Sequence, residues 1–303
     1  MEQVWIPGGE FAMGSQRHYP DEGPVRHVTV EGFWMDATTV TNADFAAFVA
    51  DTGYVTVAEV APDPADYPGA DPAMLVPSSL VFTPPPGPVP LSDHFQWWRF
   101  EPGADWRHPT GADSSLEGLD DHPVVQVAWD DVLAYAAWAG KALPSEAQWE
   151  FAARGGLDGA EFVWGDDNPQ EDGIPRANTW QGRFPWENTA VDGWVRTSPV
   201  RAYEPNGYGL YDMAGNVWQW TTDLYDSRPT DQRPACCSVT PREREAISYD
   251  PSTPEIQIPR RVIKGGSHLC TTQYCFRYRP AARQPQAHDT GASHVGFRLI
   301  TVP

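Results

Sequence analysis

The chain has 303 residues, 41% of them hydrophobic and 12% aromatic, and its 21 Lys and Arg against 41 Asp and Glu give a formal net charge of −20. The apolar fraction supports a packed core and argues against wholesale disorder. The acidic balance argues against nucleic acid or an anionic membrane surface as partner and favours a peptide or a cationic group. With 26 Gly and 31 Pro the expectation is a loop-rich fold. The opening residues show no basic stretch followed by an apolar one, and no run approaches the roughly 18 apolar residues of a spanning helix. A cytoplasmic protein is expected. Four cysteines are too few for a disulfide scaffold, so the thiols are free, metal-bound or catalytic.

In chain order, residues 2–35 read as short strand-like pieces broken by Gly8-Gly9 and Gly14, with His27-Val28-Thr29-Val30 resuming after Pro24. Thr41 is a fitting N-cap for a helix in which Phe45, Phe48 and Val49 recur at helical spacing until Gly53 stops it. Residues 60–110 hold Pro84-Pro85-Pro86 together with Phe95, Trp97, Trp98, Phe100 and Trp106. A flexible linker does not spend aromatics in this way, so the segment reads as an ordered irregular excursion packed on the main body. Val124-Val125-Gln126-Val127 reads as a strand leading to Asp130, the expected cap of a second helix with Val132, Leu133, Ala136 and Trp138 on its apolar face and Gly140 at its end. Ser145 and Gln148 make a capping-box pattern for a third helix through Ala153, before Gly155-Gly156. Beyond Gly156 turns, aromatics and short strands follow, with no periodic segment long enough for another substantial helix. Residues 227–259, with Cys236-Cys237 and many charges, read as a mobile insertion. No repeat or composition break divides the chain, which reads as one domain over residues 1–303.

The chemistry-bearing segment runs from Gly265 to Arg279. Cys270 and Cys275 stand five apart after a Gly-Gly turn, a spacing that a loop or a short irregular helix can close. Taken alone, the pair is open to several readings. It fits inert buried cysteines, a disulfide, or a zinc site completed by two further ligands, with His268, His288 and His294 in sequence reach and none at zinc-finger spacing. Two thiolates and nothing else suit a soft, low-coordinate ion, for which Cu(I) is the biological match.

The run from Lys264 to Arg298, KGGSHLCTTQYCFRYRPAARQPQAHDTGASHVGFR, resembles the C-terminal signature of the formylglycine-generating enzymes, the sulfatase-modifying factor family, of bacterial type. Earlier segments agree in order: PGGEFAMGS from Pro7, HPVVQVAWDD from His122, GKALPSEAQWEFAARGG from Gly140, ANTWQGRFP from Ala177 and NGYGLYDMAGNVWQW from Asn206. The resemblance covers nearly the whole chain outside residues 60–110 and 227–259. Non-catalytic relatives and iron-dependent sulfoxide synthases share the middle motifs, so the cysteine pair is the discriminating feature. The His-x-x-x-His-x-Glu set of the synthases is not present in the sequence.

The resemblance implies an α+β, loop-rich single domain with little regular secondary structure, related to C-type-lectin-like folds. It implies a copper-dependent oxidase that converts the cysteine of a Cys-x-Pro-x-Arg segment in a nascent or unfolded sulfatase into Cα-formylglycine, using O₂ and a thiol reductant. Cys270 and Cys275 match the family's Cu(I) ligands, with the substrate thiolate as a third sulfur. Ser267, Tyr274 and Trp218 match positions that line the oxygen and substrate pocket. Asn178, the backbone of Thr179, Asp192 and the backbone of Trp194 match one structural Ca²⁺ site. Asp212, Gly215, Val217 and Gln219 match a second, in which Asp212 and Gln219 replace the usual Asn and Glu while keeping one carboxylate. Arg277, Arg279 and Arg283 are expected to be ion-pair partners rather than catalysts.

Several positions depart from the family pattern. His294 stands where relatives usually carry Asn, and Pro280 and Leu299 stand where secretory members have disulfide cysteines. Cys236-Cys237 has no counterpart and is expected to be free. The family's acidic contact to the substrate Arg falls where this chain reads Ser78-Ser79, so that contact is unassigned. The expected partners are an unfolded sulfatase polypeptide, O₂ and a thiol, with no nucleic acid, no membrane, and a monomeric enzyme. The alternatives are a catalytically silent peptide-binding module of the same fold and a zinc or dithiol redox protein.

Overall fold

Glycine and proline cut the N-terminal segment into four short strands, β1 (Gln3–Ile6), β2 (Gly9–Met13), β3 (Arg26–Val30) and β4 (Phe33–Asp36), as the punctuation of the sequence suggests. These bounds come from a computed structural model, which describes residues 1–167, 173–226 and 241–303. Cys236, Cys237 and residues 227–240 of the expected insertion lie outside the described residues.

Helix α1 (Asn42–Thr52) follows its capping signals. The Thr41 hydroxyl accepts from the Asp44 N–H, the Asp44 carboxylate accepts from the Thr41 N–H, and Gly53 at φ +68 ends the helix. Phe45 and Phe48 are buried, and burying each contributes about 1.5–3 kcal/mol.

The Pro-rich excursion is more regular than expected. Ser78–Phe82 (β5) and Trp98–Pro102 (β6) pair as an antiparallel hairpin, with Ser79 opposite Glu101 and Phe82 opposite Trp98. The expected strand at Val124–Val127 does not form. Gln126 sits at φ +62, which breaks an extended run, and the segment bonds singly to neighbours, Val124 N–H to Val40 O and Gln126 N–H to Ala292 O.

Helix α2 (Trp129–Trp138) begins one residue before Asp130, which stays exposed. Its end is fastened by Asp131, whose carboxylate accepts from the Ala128 N–H at 2.8 Å and the Val57 N–H at 2.9 Å. Leu133 and Trp138 lie outside the buried face; the Trp138 indole N–H reaches Asp51 instead. Helix α3 (Glu146–Arg154) has the expected Ser145–Gln148 capping box and ends on Gly155 at φ +58.

The remaining elements are β7 (Trp218–Leu224), α4 (Pro241–Ser248), β8 (Arg260–Lys264), β9 (Arg283–Ala287), β10 (Val295–Gly296) and β11 (Ile300–Thr301). The eight-residue α4 was not expected, because few of its residues are apolar and periodicity gives no signal. Sheet order is β1-β4-β11 in one three-stranded sheet, β10-β7-β8-β9 in a four-stranded one, and β2-β3 and β5-β6 as two-stranded ribbons. β10 runs parallel to β7, while β8 is antiparallel to both β7 and β9.

Three apolar clusters hold these pieces together. The largest packs α1 and α2 against the four-stranded sheet, a second packs α3 on β1–β4, and a third joins Phe82 and Trp97 of the excursion to Trp180, Phe184 and Leu269. That third cluster brings the excursion to the cysteine loop. No helix among the described residues is long and apolar enough to cross a membrane.

Candidate functional site

The loop carrying the two cysteines leaves β8 after Lys264 and rejoins the sheet at Arg283. Gly265 and Gly266 open it at φ +96 and +71, where a residue with a side chain is strained. A Cβ on Gly266 would also lie 2.9 Å from the Tyr278 backbone. Gly266→Ala is therefore expected to cost at least about 1–3 kcal/mol. The check is a lower urea midpoint at unchanged m-value; an unshifted midpoint would mean the turn is not under this constraint.

Within the loop, the Cys270 N–H donates to Ser267 O at 2.9 Å, the Thr271 N–H to Cys275 O at 3.0 Å and the Cys275 N–H to Thr271 O at 2.8 Å. The reciprocal Thr271–Cys275 pair folds the five-residue step back on itself and places the two sulfurs 3.0 Å apart, both as free thiols. Ser267 closes the turn and also faces the site. Its hydroxyl accepts from the Leu269 N–H at 3.2 Å, and its N–H points at the Cys270 sulfur from 3.4 Å.

The sulfurs border a cavity of about 270 Å³ that also meets Ser267, Tyr274 and Trp218, so the structure brings together all five residues expected to carry the chemistry. Tyr274 is held by stacking on Phe184 at 4.7 Å and by an edge contact with Trp97 at 5.5 Å. Trp218 is 1% exposed and comes from β7, where its N–H donates to His294 O at 2.8 Å.

Other walls were not singled out in the sequence. Tyr19 accepts a hydrogen bond from the Phe276 N–H at 3.0 Å, Trp98 arrives from the excursion, and Gln284 comes from β9. Asn216, inside the recognised NGYGLYDMAGNVWQW run, is an overlooked hub. Its side chain exchanges hydrogen bonds with the Ser198 backbone, and its carbonyl accepts from the His268 N–H.

Burial pushes the Cys270 thiol up, but the hydrogen bond from Cys275, the Ser267 N–H and the Arg277 charge outweigh it and hold it below the ordinary value. Cys275 moves the other way, well above the ordinary thiol range, through its hydrogen bond to Cys270 and then through burial. Arg277 faces the cavity, stacks 3.8 Å over the Tyr19 ring and is anchored by Asp21 at 3.2 Å. Arg279 pairs with Glu22 and Arg283 with Glu146, the structural roles expected of them.

Two sulfurs, with no third His, Cys, Asp or Glu donor gathered beside them among the described residues, are a soft, open ligand set that fits Cu(I). Among the described residues no three His, Cys, Asp or Glu side chains gather to hold a metal ion, so a closed zinc site has no ligand set here. His268 turns its Nδ1 to the Asn216 carbonyl at 2.9 Å instead.

The first expected calcium set presents hard oxygens. The Asp192 carboxylate is half-buried, accepts from the Trp194 N–H and the Tyr203 hydroxyl, and is raised by that burial, with no basic residue beside it to offset the charge. Asn178 is buried, its amide N–H₂ donates to Arg196 O at 2.8 Å, and two residues on the Trp180 N–H donates to Cys270 O at 2.9 Å. The Asp192 carboxylate and the Asn178 amide oxygen are donors of the kind a hard cation takes, and Asn178 is linked through Trp180 to the cysteine loop. The second set fits less well as it stands. The Gln219 side-chain oxygen already accepts from the Trp149 indole at 2.8 Å and from Arg298 at 2.7 Å, and the Gln219 amide donates to Asp212 O at 2.8 Å.

The family model for the sulfatase-modifying factor enzyme 1-like domain matches residues 1–302. The chain belongs to this family. A formylglycine-generating enzyme of Mycobacterium tuberculosis is 52% identical over 100% of this chain and 98% of its own length. An inactive C-alpha-formylglycine-generating enzyme 2 of Bos taurus is 41% identical over 99% of this chain and 88% of its own. Among solved structures, PvdO from Pseudomonas aeruginosa superposes with a TM-score of 0.61 at 24% identity, covering 98% of this chain and 93% of that one. At that identity the likeness speaks for the fold alone, and it agrees with the single-domain, mixed-sheet architecture of this family member.

Proposed function

We propose that the chain is a formylglycine-generating oxidase that converts the cysteine of a Cys-x-Pro-x-Arg segment in an unfolded sulfatase to Cα-formylglycine, with O₂ as oxidant and a thiol as co-reductant. The observation that carries this reading is the paired sulfurs of Cys270 and Cys275 at the wall of a cavity of about 270 Å³, in a chain 52% identical to a formylglycine-generating enzyme. Cys270 and Cys275 would hold Cu(I), which when bound supplies a soft centre for the substrate sulfur and for O₂ reduction. The protein's own residues do the rest. Arg277 places a positive charge in the cavity that favours a substrate thiolate over a thiol. Phe184, Trp98 and Tyr274 wall the site with aromatic surface. Ser267 fixes the turn that aims Cys270, and Asn178, Thr179, Asp192 and Trp194 would hold a structural Ca²⁺ that steadies the Cys270 carbonyl through Trp180.

The substrate must enter extended, because a folded sulfatase would not offer its cysteine to a recessed pair of sulfurs. The −20 charge steers a substrate Arg toward the protein in a salt-dependent way. The test is turnover of a short Cys-x-Pro-x-Arg peptide with Cu(I), O₂ and thiol, read by mass. Aldehyde formation dependent on copper is the expected result, and it should disappear when the same segment sits inside a folded sulfatase.

A second reading is kept in view by the bovine relative named inactive: a silent module that binds the same peptides without oxidising them. Peptide binding with no aldehyde at full copper loading would select it.

A further inference from the structure

The sulfur chemistry does not account for every side chain in the cavity. His294 borders the same space as Cys270 and Cys275, in the turn that leads into β10. Its backbone is pinned, since its carbonyl accepts from the Trp218 N–H at 2.8 Å and Val295 pairs with Trp218 across the sheet. Its ring lies against Trp98 with centroids 4.6 Å apart. The residue is 7% exposed, and its Nδ1 is sealed from solvent with no hydrogen-bond partner among the described residues.

We propose that His294 is a substrate-binding residue whose neutral imidazole donates its Nε2–H to a main-chain carbonyl of the peptide seated in the cavity. This rests on the peptide-oxidase reading and adds to it a residue that reads the backbone of the substrate rather than its cysteine. A neutral imidazole has one N–H to place. On Nδ1 it would be a buried donor without an acceptor, which is the rarer and costlier defect, whereas on the ring tip it meets the cavity. Burial, and then the neighbouring His268, push this group down to about 3, so the ring stays neutral and offers a donor rather than a charge. Among the described residues no carboxylate lines the cavity, and the polar groups around it include the hydroxyls of Tyr19 and Tyr274, the Gln284 amide and the guanidinium of Arg277. A donor-rich wall is complementary to the carbonyl oxygens that an extended peptide presents along its length.

The experiment compares His294→Leu, which keeps apolar contact with Trp98 and loses the donor, with His294→Gln, whose amide N–H₂ reaches the position of Nε2. Binding is measured with a peptide whose cysteine is replaced by serine, and kinetics with the Cys-x-Pro-x-Arg peptide itself. His294→Leu is expected to raise Kd and KM about tenfold, the loss of one buried hydrogen bond, with kcat within about twofold. His294→Gln should return both constants to within about threefold of the wild type, and the melting temperatures of the two variants should agree. Unchanged Kd and KM in His294→Leu, with a wild type that oxidises the peptide, would overturn the inference and leave the oxidase standing. A fall in kcat alone would also overturn it, by placing His294 at the reacting atoms. A wild type that neither binds nor oxidises the peptide would remove both.

Discussion

Replacing either Cys270 or Cys275 by serine is expected to lower peptide oxidation by at least about three orders of magnitude, equivalent to about 4 kcal/mol of barrier. A hydroxyl is a hard, weakly acidic donor, and one remaining thiolate cannot hold Cu(I) against competing thiols in solution, so on the proposed reading loss of either sulfur would remove the copper rather than weaken its binding. Folding should barely notice. Both residues are loop positions, serine is nearly isosteric, and its hydroxyl can bond the surviving thiol across the 3.0 Å gap. The cost should be about 1 kcal/mol, or a few degrees in Tm. Activity, copper content and Tm measured on the same preparations separate the two effects. Near-normal turnover by either variant at limiting copper would show that the pair is not the metal site.

Elements bounded by local chemistry were legible in the sequence. Thr41 with Gly53 and Ser145 with Gly155 mark α1 and α3 because caps act within a few residues of the helix end. For Cys270 and Cys275 the spacing showed only that a loop could close the pair, and it was the family resemblance that singled them out as a site. The misreadings arose where distant contacts decide. Val124–Val127 has the composition of a strand, yet Gln126 is turned to φ +62 because its side chain is claimed by Ser79 at 2.6 Å and by Pro109 O at 2.7 Å. Asp131 caps α2 in place of Asp130 because it also serves Val57 from another segment. Tyr19 and Trp98 reach the cavity from elements far away in the chain, and no spacing rule carries that information. The contacts that Trp149 and Arg298 make with the Gln219 side-chain oxygen are equally invisible in sequence.

The same blindness hides the protein's main buried charge network, which is the subject of the second large prediction. In sequence, nothing sets Glu146 and Glu150 apart from the rest of α3. In the structure Glu146 is buried, held by both guanidinium arms of Arg283 at 2.8 and 3.0 Å and by Lys264 at 3.6 Å. Glu150 completes the set, bonding Lys264 at 3.0 Å and Arg154 at 2.7 Å. Lys264 is the last residue of β8 and Arg283 the first of β9, so the two cations that meet Glu146 are the two ends of the cysteine loop. Glu146→Ala leaves Arg283 buried without its carboxylate and is expected to cost about 3–5 kcal/mol, a Tm loss on the order of 10 °C. Activity assayed well below the new transition should fall as well, because the loop's anchors are no longer clamped together. The pH dependence has a definite sign. Burial alone would raise the Glu146 carboxyl, but Arg283 and Lys264 outweigh it and bring it from 4.5 to about 2. Its folded-state value is therefore the lower one, so its stabilisation is fully present above about pH 4.5 and is lost as pH falls toward 2. Glu146→Gln should accordingly flatten the acid limb of the stability profile between those values, while leaving its slope near neutrality unchanged. An acid limb identical to that of the wild type would show that Glu146 is not the group whose protonation releases the loop.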